Sequence, residues 1–194
     1  VNRLRFILGA VALTTLTSNL GAQGLPAGSQ SFEFLKAVRD RDGNKVTELL
    51  GAGNYINMKD ASGDTPLNIV IARQDEDWTA FFLSKGADPN LPGKGGDTPL
   101  IVAARVGYED AVETLLKLGA RVDAANRMGE TALIIAVQQR QVPIVRALLN
   151  AGANPDKTDN AAGYSARDYA ARDNRSPMIL QMIQAKKPKA SAAR

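Results

Sequence analysis

One spacing constrains this chain more than any other feature. Asp64-Thr65-Pro66-Leu67 recurs as Asp97-Thr98-Pro99-Leu100 and, more weakly, as Glu130-Thr131-Ala132-Leu133, with 33 residues from each Thr to the next. A degenerate copy, Gly163-Tyr164-Ser165-Ala166, follows at 34. The apolar pairs Leu49-Leu50, Phe82-Leu83, Leu115-Leu116 and Leu148-Leu149 take the same step, and so do Gly53, Gly86, Gly119 and Gly152. Three independent features on one period describe a repeated supersecondary unit. A single such unit cannot bury its own apolar faces, so copies stack along one axis and share a continuous core.

Each unit reads as helix, turn, helix and then a turn-rich finger. Thr65, Thr98 and Thr131 are N-cap residues whose hydroxyls accept from otherwise unpaired helix N–H groups. Pro66 and Pro99 follow at the first helical position, where the missing N–H is not needed. The segment Pro99 to Val106 is almost wholly apolar and belongs inside a stack, whereas Glu109 to Leu118 is amphipathic, with Ala111, Val112, Leu115 and Leu116 at helical spacing. The glycines after the second helices suit a left-handed helix end. Residues 87–97 and 120–130 carry the Pro, Asn, Gly and Asp that turns require.

On these residues the chain resembles the ankyrin-repeat family, over roughly residues 31–185. The resemblance implies an all-α solenoid of stacked helix-turn-helix repeats joined by β-turn fingers. The expected divisions are an N-terminal half-cap at 31–59, central repeats at 60–92, 93–125 and 126–159, and a C-terminal cap at 160–185. Two departures stand out. The family's histidine after Thr-Pro-Leu is replaced by Asn68, Ile101 and Ile134, so its inter-repeat hydrogen bonds are expected to give way to apolar contact. The glycine between the two helices survives as Gly107, with Gln74 and Arg140 at the equivalent places.

Residues 1–24 read as a signal peptide. Arg3 and Arg5 precede the apolar run Phe6 to Leu13, and the small residues Ala22 and Gly24 precede a cleavage point after Gly24. Residues 25–30 are then a linker. Val1 fits an alternative start codon, hence a bacterial source, and the expected location is the periplasm or the exterior. The chain has no Cys and no His. Disulfides, thiolate nucleophiles, His-ligated zinc and the Ser–His–Asp triad are therefore excluded. The net charge of +4 sits at the two ends. The body from 25 to 185 carries slightly more acid than base, which disfavours nucleic acid as a partner. The basic segment 186–194 lacks apolar periodicity and is expected to be disordered.

A stacked array of this kind leaves free its finger tips and the outer side of its first helices. The resemblance assigns protein recognition to that concave surface. The candidate partner-binding residues are Arg73, Lys94, Arg105, Arg127, Met128, Gln138, Tyr164 and Arg172, since Arg and Tyr are enriched among interface hot spots. The acids Asp64, Asp97 and Glu130 should line up along the groove, each supporting its own turn or a helix N-terminus. Trp78 aligns with Ala111 and Ile144 and reads as packing. Asp168 and Asp173, interleaved with Arg167 and Arg172, read as a solvated helix face. No catalytic residue, metal ligand or cofactor is expected. The expected role is that of an exported, monomeric, non-enzymatic module binding another periplasmic or secreted protein. The alternative is a membrane-surface adaptor held by an uncleaved N-terminus and the basic tail.

Overall fold

A computed structural model describes residues 27–52 and 55–186. The expected signal peptide, and all of the basic segment beyond Lys186, lie outside the described residues. Among the described residues ten α-helices form five successive pairs: α1 (Ala27–Asp40) with α2 (Gly43–Ala52), α3 (Pro66–Ala72) with α4 (Glu76–Ser84), α5 (Pro99–Val106) with α6 (Glu109–Lys117), α7 (Ala132–Gln138) with α8 (Val142–Asn150), and α9 (Ala166–Arg172) with α10 (Pro177–Gln184). The first helices pack in sequence, α1 on α3, α3 on α5, α5 on α7 and α7 on α9. Among the described residues no helix is long and apolar enough to cross a membrane.

The start of each inner helix follows from its cap. Thr65, Thr98 and Thr131 hold extended backbone, and their hydroxyls accept from the N–H groups of Asn68, Ile101 and Ile134 at 3.1, 3.3 and 3.2 Å. Ser165 does the same for α9 and completes a capping box with Asp168. The inner helices are apolar because they are enclosed: Leu100, Ile101, Ala103 and Ala104 in α5, and every residue of α7 from Ala132 to Val137, are buried. After the second helices α4, α6 and α8, Gly86, Gly119 and Gly152 adopt left-handed backbone, as expected.

The helix α1 spans Ala27–Asp40 and α2 spans Gly43–Ala52, so the N-terminal cap repeat carries a helix pair. One expectation is corrected. The inter-repeat bond expected to be absent does form at one junction, where Asn68 Nδ2 donates to the Asp97 carbonyl at 3.1 Å. Ile101 and Ile134, fully buried, make the apolar substitution at the next two. Gln74 and Arg140, which replace the inter-helix glycine, keep its left-handed backbone, as does Arg41, and all three use the side chain that glycine lacks. Arg41 pairs with Asp75 at 3.0 Å, Gln74 donates to the Val106 carbonyl at 2.6 Å, and Arg140 Nε donates to Asp173 at 2.6 Å. At these three turns a polar side chain tied to the following repeat has taken over the glycine's position, while Gly107 keeps it between α5 and α6.

Candidate functional site

The concave side is bounded by the fingers and the solvent edge of the first helices. Three fingers are shaped by a polar side chain at their start. Asp60 Oδ1 accepts from the N–H groups of Ser62 and Asp64, Asn126 Oδ1 from those of Met128 and Glu130, and Asp159 Oδ1 from those of Ala161, Ala162 and Gly163. These side chains replace the missing backbone partners of a tight turn. The second finger starts instead with Gly93 and closes through a 3-10 turn, Lys94–Gly96. Neighbouring fingers are joined directly: Arg127 N–H donates to the Gly95 carbonyl at 3.0 Å and Asn160 N–H to the Met128 carbonyl at 2.8 Å.

Between the first two fingers and the ends of α3 and α5 lies a cleft of about 730 Å³. Ile69, Ala72, Val102 and Val106 give it an apolar floor, and Arg39, Arg73, Lys94 and Arg105 stand around it with Asp64 and Asp97. The eight candidate partner-binding residues all lie on the finger row or at the ends of first helices, but their side chains are not equally free. Arg73 donates to the Arg39 and Val38 carbonyls at 2.7 and 3.0 Å, which satisfies the C-terminal end of α1. Arg105 bridges Asp97 at 3.1 Å and Glu130 at 3.4 Å. Lys94 and Arg127 are exposed and form no side-chain hydrogen bond or ion pair with the described residues. Met128 is 53% exposed. At the C-terminal end the Arg172 guanidinium lies 3.9 Å from the centre of the Tyr164 ring, and Tyr164 meets Tyr169 edge to face at 5.6 Å. Gln138 is exposed at the end of α7, beside the Tyr169 hydroxyl.

The acid row lines up as expected and is knitted into the scaffold. Asp64 accepts from the Lys94 N–H at 3.1 Å, and Asn126 Nδ2 donates at 2.8 Å to both Asp97 and Glu130, the two acids that Arg105 also joins. Asp168 and Arg172 are exposed, as expected of a solvated face, and Arg167 and Asp173 are half-buried, but both acids are also bonded. Asp168 accepts from the Ser165 hydroxyl at 2.6 Å and its N–H at 2.9 Å, bonds that hold its carboxyl below the usual carboxylate range. Asp173 takes Arg140, and Arg167 pairs with Asp156 while donating to the Ile183 and Lys186 carbonyls at the end of α10. The Tyr169 hydroxyl, at 2.6 Å, likewise lowers Asp159, and the same bond raises Tyr169. These groups cap helices and close turns; none faces a second titratable group across open space. Trp78 is half-buried against Phe81 and Phe82, with ring centres 6.2 and 5.8 Å away.

One inter-repeat device escaped the sequence reading. Asn57, Asn90 and Asp123 accept through Oδ1 from the N–H groups of Asp88, Arg121 and Asn154 at 2.8, 2.7 and 2.8 Å, each one repeat further along. Donors and acceptors both step by 33.

Comparison with protein-family models gives two matches: ankyrin repeats (3 copies) over residues 34–126 and an ankyrin repeat over residues 128–160. No curated protein matches the chain.

Proposed function

Since the chain belongs to the ankyrin-repeat family, whose repeats generally mediate protein–protein interaction, we propose that it is an exported, monomeric, non-enzymatic module that grips a partner protein along its concave face. One observation carries this reading. Lys94, Arg127 and Met128 stand exposed on successive fingers, with no side-chain hydrogen bond or ion pair among the described residues, beside a cleft with an apolar floor. The other charged side chains around the cleft are bonded within the scaffold: Arg39 to Asp60, Arg73 to the end of α1, Arg105 to Asp97 and Glu130, and Asp64 to the Lys94 N–H. A surface preformed in this way loses little entropy when it binds, so modest contacts give useful affinity. The charged start, apolar run and small residues of segment 1–24 support export, and with it a periplasmic or secreted partner.

The test is affinity capture from a periplasmic extract, comparing the parent with Lys94→Glu/Arg127→Glu and with Lys117→Glu on α6. A partner retained by the parent and by Lys117→Glu, but lost with the double variant, supports the groove. Equal recovery of every protein by all three removes it. Intact-mass measurement of the exported chain decides its state: a start at Leu25 fits a free module, and an uncleaved N-terminus fits a membrane-surface adaptor.

A further inference from the structure

The charge distribution around the cleft narrows the chemistry of what it takes. Arg39 is committed to Asp60, and Arg105 is shared between Asp97 and Glu130. Arg73 is held by two carbonyls and has no carboxylate partner, and Lys94 and, on the next finger, Arg127 are unpaired. Arg73 and Lys94 thus border half-buried Ile69, Val102 and Val106, Arg127 stands on the next finger, and Asp64 in the same lining has no cationic partner among the described residues. Apolar walls of low dielectric focus such a field, and an anion arriving there is attracted more strongly than on an open surface.

Resting on the reading of this groove as a protein-binding surface, we propose that the occupant is a segment of partner protein in which an aliphatic or aromatic side chain is flanked by Asp or Glu. The apolar residue enters over Val102 and Val106, and the flanking carboxylates meet Lys94, Arg127 and Arg73. Two features favour a peptide over a small anionic amphiphile or a nucleic acid. The unpaired cations sit on separate elements, the end of α3 and two successive fingers, so they suit several anions spaced along a chain more than one headgroup. The floor between them is apolar, which rewards a buried side chain and offers nothing to a phosphate backbone.

The test uses the full chain, immobilised and panned against a displayed library of random peptides. The expected outcome is enrichment of sequences with Asp or Glu beside an aliphatic or aromatic residue. One such peptide, synthesised, should bind at least about tenfold more weakly to Lys94→Glu and to Arg127→Glu. Its affinity for the parent should fall as salt rises, and Lys117→Glu should leave it unchanged. Enrichment of basic or uncharged polar sequences, no enrichment, or equal binding by Lys94→Glu overturns the proposal, as does displacement of the peptide by decanoate or a single-stranded DNA oligonucleotide at lower concentration. The two readings fail separately. A partner captured through the groove by a basic or neutral segment ends this proposal and leaves the interaction surface standing; no groove-dependent partner of any kind ends both.

Discussion

Gly93 is the residue that lets Asn68 cross the junction between the second and third helix pairs. A Cβ at position 93 would overlap Asn68 Nδ2 and lie 3.0 Å from Asp64 Oδ1. Asn68 is 2% exposed and spends that same nitrogen on the Asp97 carbonyl. At the next two junctions the roles are exchanged: Ile101 and Ile134 fill the helix position, and Asn126 and Asp159 start the facing fingers. Each of these junctions has room for one polar side chain, supplied by either the helix or the finger.

That exclusion predicts a coupled pair. Gly93→Asn should cost about 1–2 kcal/mol, the loss of a buried hydrogen bond with its donor left unpaired. Asn68→Ile/Gly93→Asn, which copies the next junction, should recover about 1 kcal/mol of it. Denaturant melts of the parent, both single variants and the double variant measure the coupling; additive losses would contradict the shared space.

The left-handed inter-helix positions should separate by what their side chains do. Gln74→Gly removes a backbone strain of about 1–2 kcal/mol at the expense of one exposed bond to the Val106 carbonyl, so the variant should melt higher than the parent. Arg140→Gly relieves the same strain but strips a partner from half-buried Asp173, and it should show no gain. Thermal melts of the two variants are the check.

Two groove arginines should respond differently to charge reversal. Arg105→Glu places a carboxylate against Asp97 and Glu130 and should cost about 1 kcal/mol of stability. Arg127→Glu meets no such pair and should leave the melting temperature within error of the parent. Calorimetry on both identifies Arg127, with Lys94, as the clean probe of binding.

The cap of α9 should be acid-sensitive. Asp168 is held below its ordinary range first by the Ser165 hydroxyl and then by its N–H. A carboxylate with a depressed folded-state value adds stability that is fully present above its unfolded value, near 3.8, and is lost as pH falls through the folded one. Ser165→Ala should therefore destabilise more near neutrality than in strong acid. Denaturant melts at the two extremes test this, and an equal loss at both would sink it.

Thr98→Ala should cost about 1 kcal/mol through the lost cap of α5. Thr98 is 5% exposed, so water cannot readily take the place of its hydroxyl at the Ile101 N–H. An unchanged melt would place the helix start elsewhere.

The period carried most of the fold because caps, glycines and apolar pairs report local backbone, and local backbone repeats with the sequence. It also located the row on which the candidate residues sit. It did not reveal which of those side chains are free. Arg105 and Arg127 look alike in one dimension, and only the position of Asp97 beside Glu130 ties down the first. Asn57, Asn90 and Asp123 kept the period in plain sight but sit among turn formers, where polar residues are ordinary and a bond to the following repeat leaves no local mark. Asn68 was misjudged because its partner is a carbonyl 29 residues away and its space is granted by a glycine.

The direct backbone ties between fingers run from Gly95 to Asn160 and are missing at the first gap, where Asp64 and Lys94 meet through a side chain alone. The wall of the furrow is thus braced along two spans and jointed at the third. Along that wall the gap edged by Lys94 is held by a side-chain carboxylate, where the other two are held by backbone carbonyls.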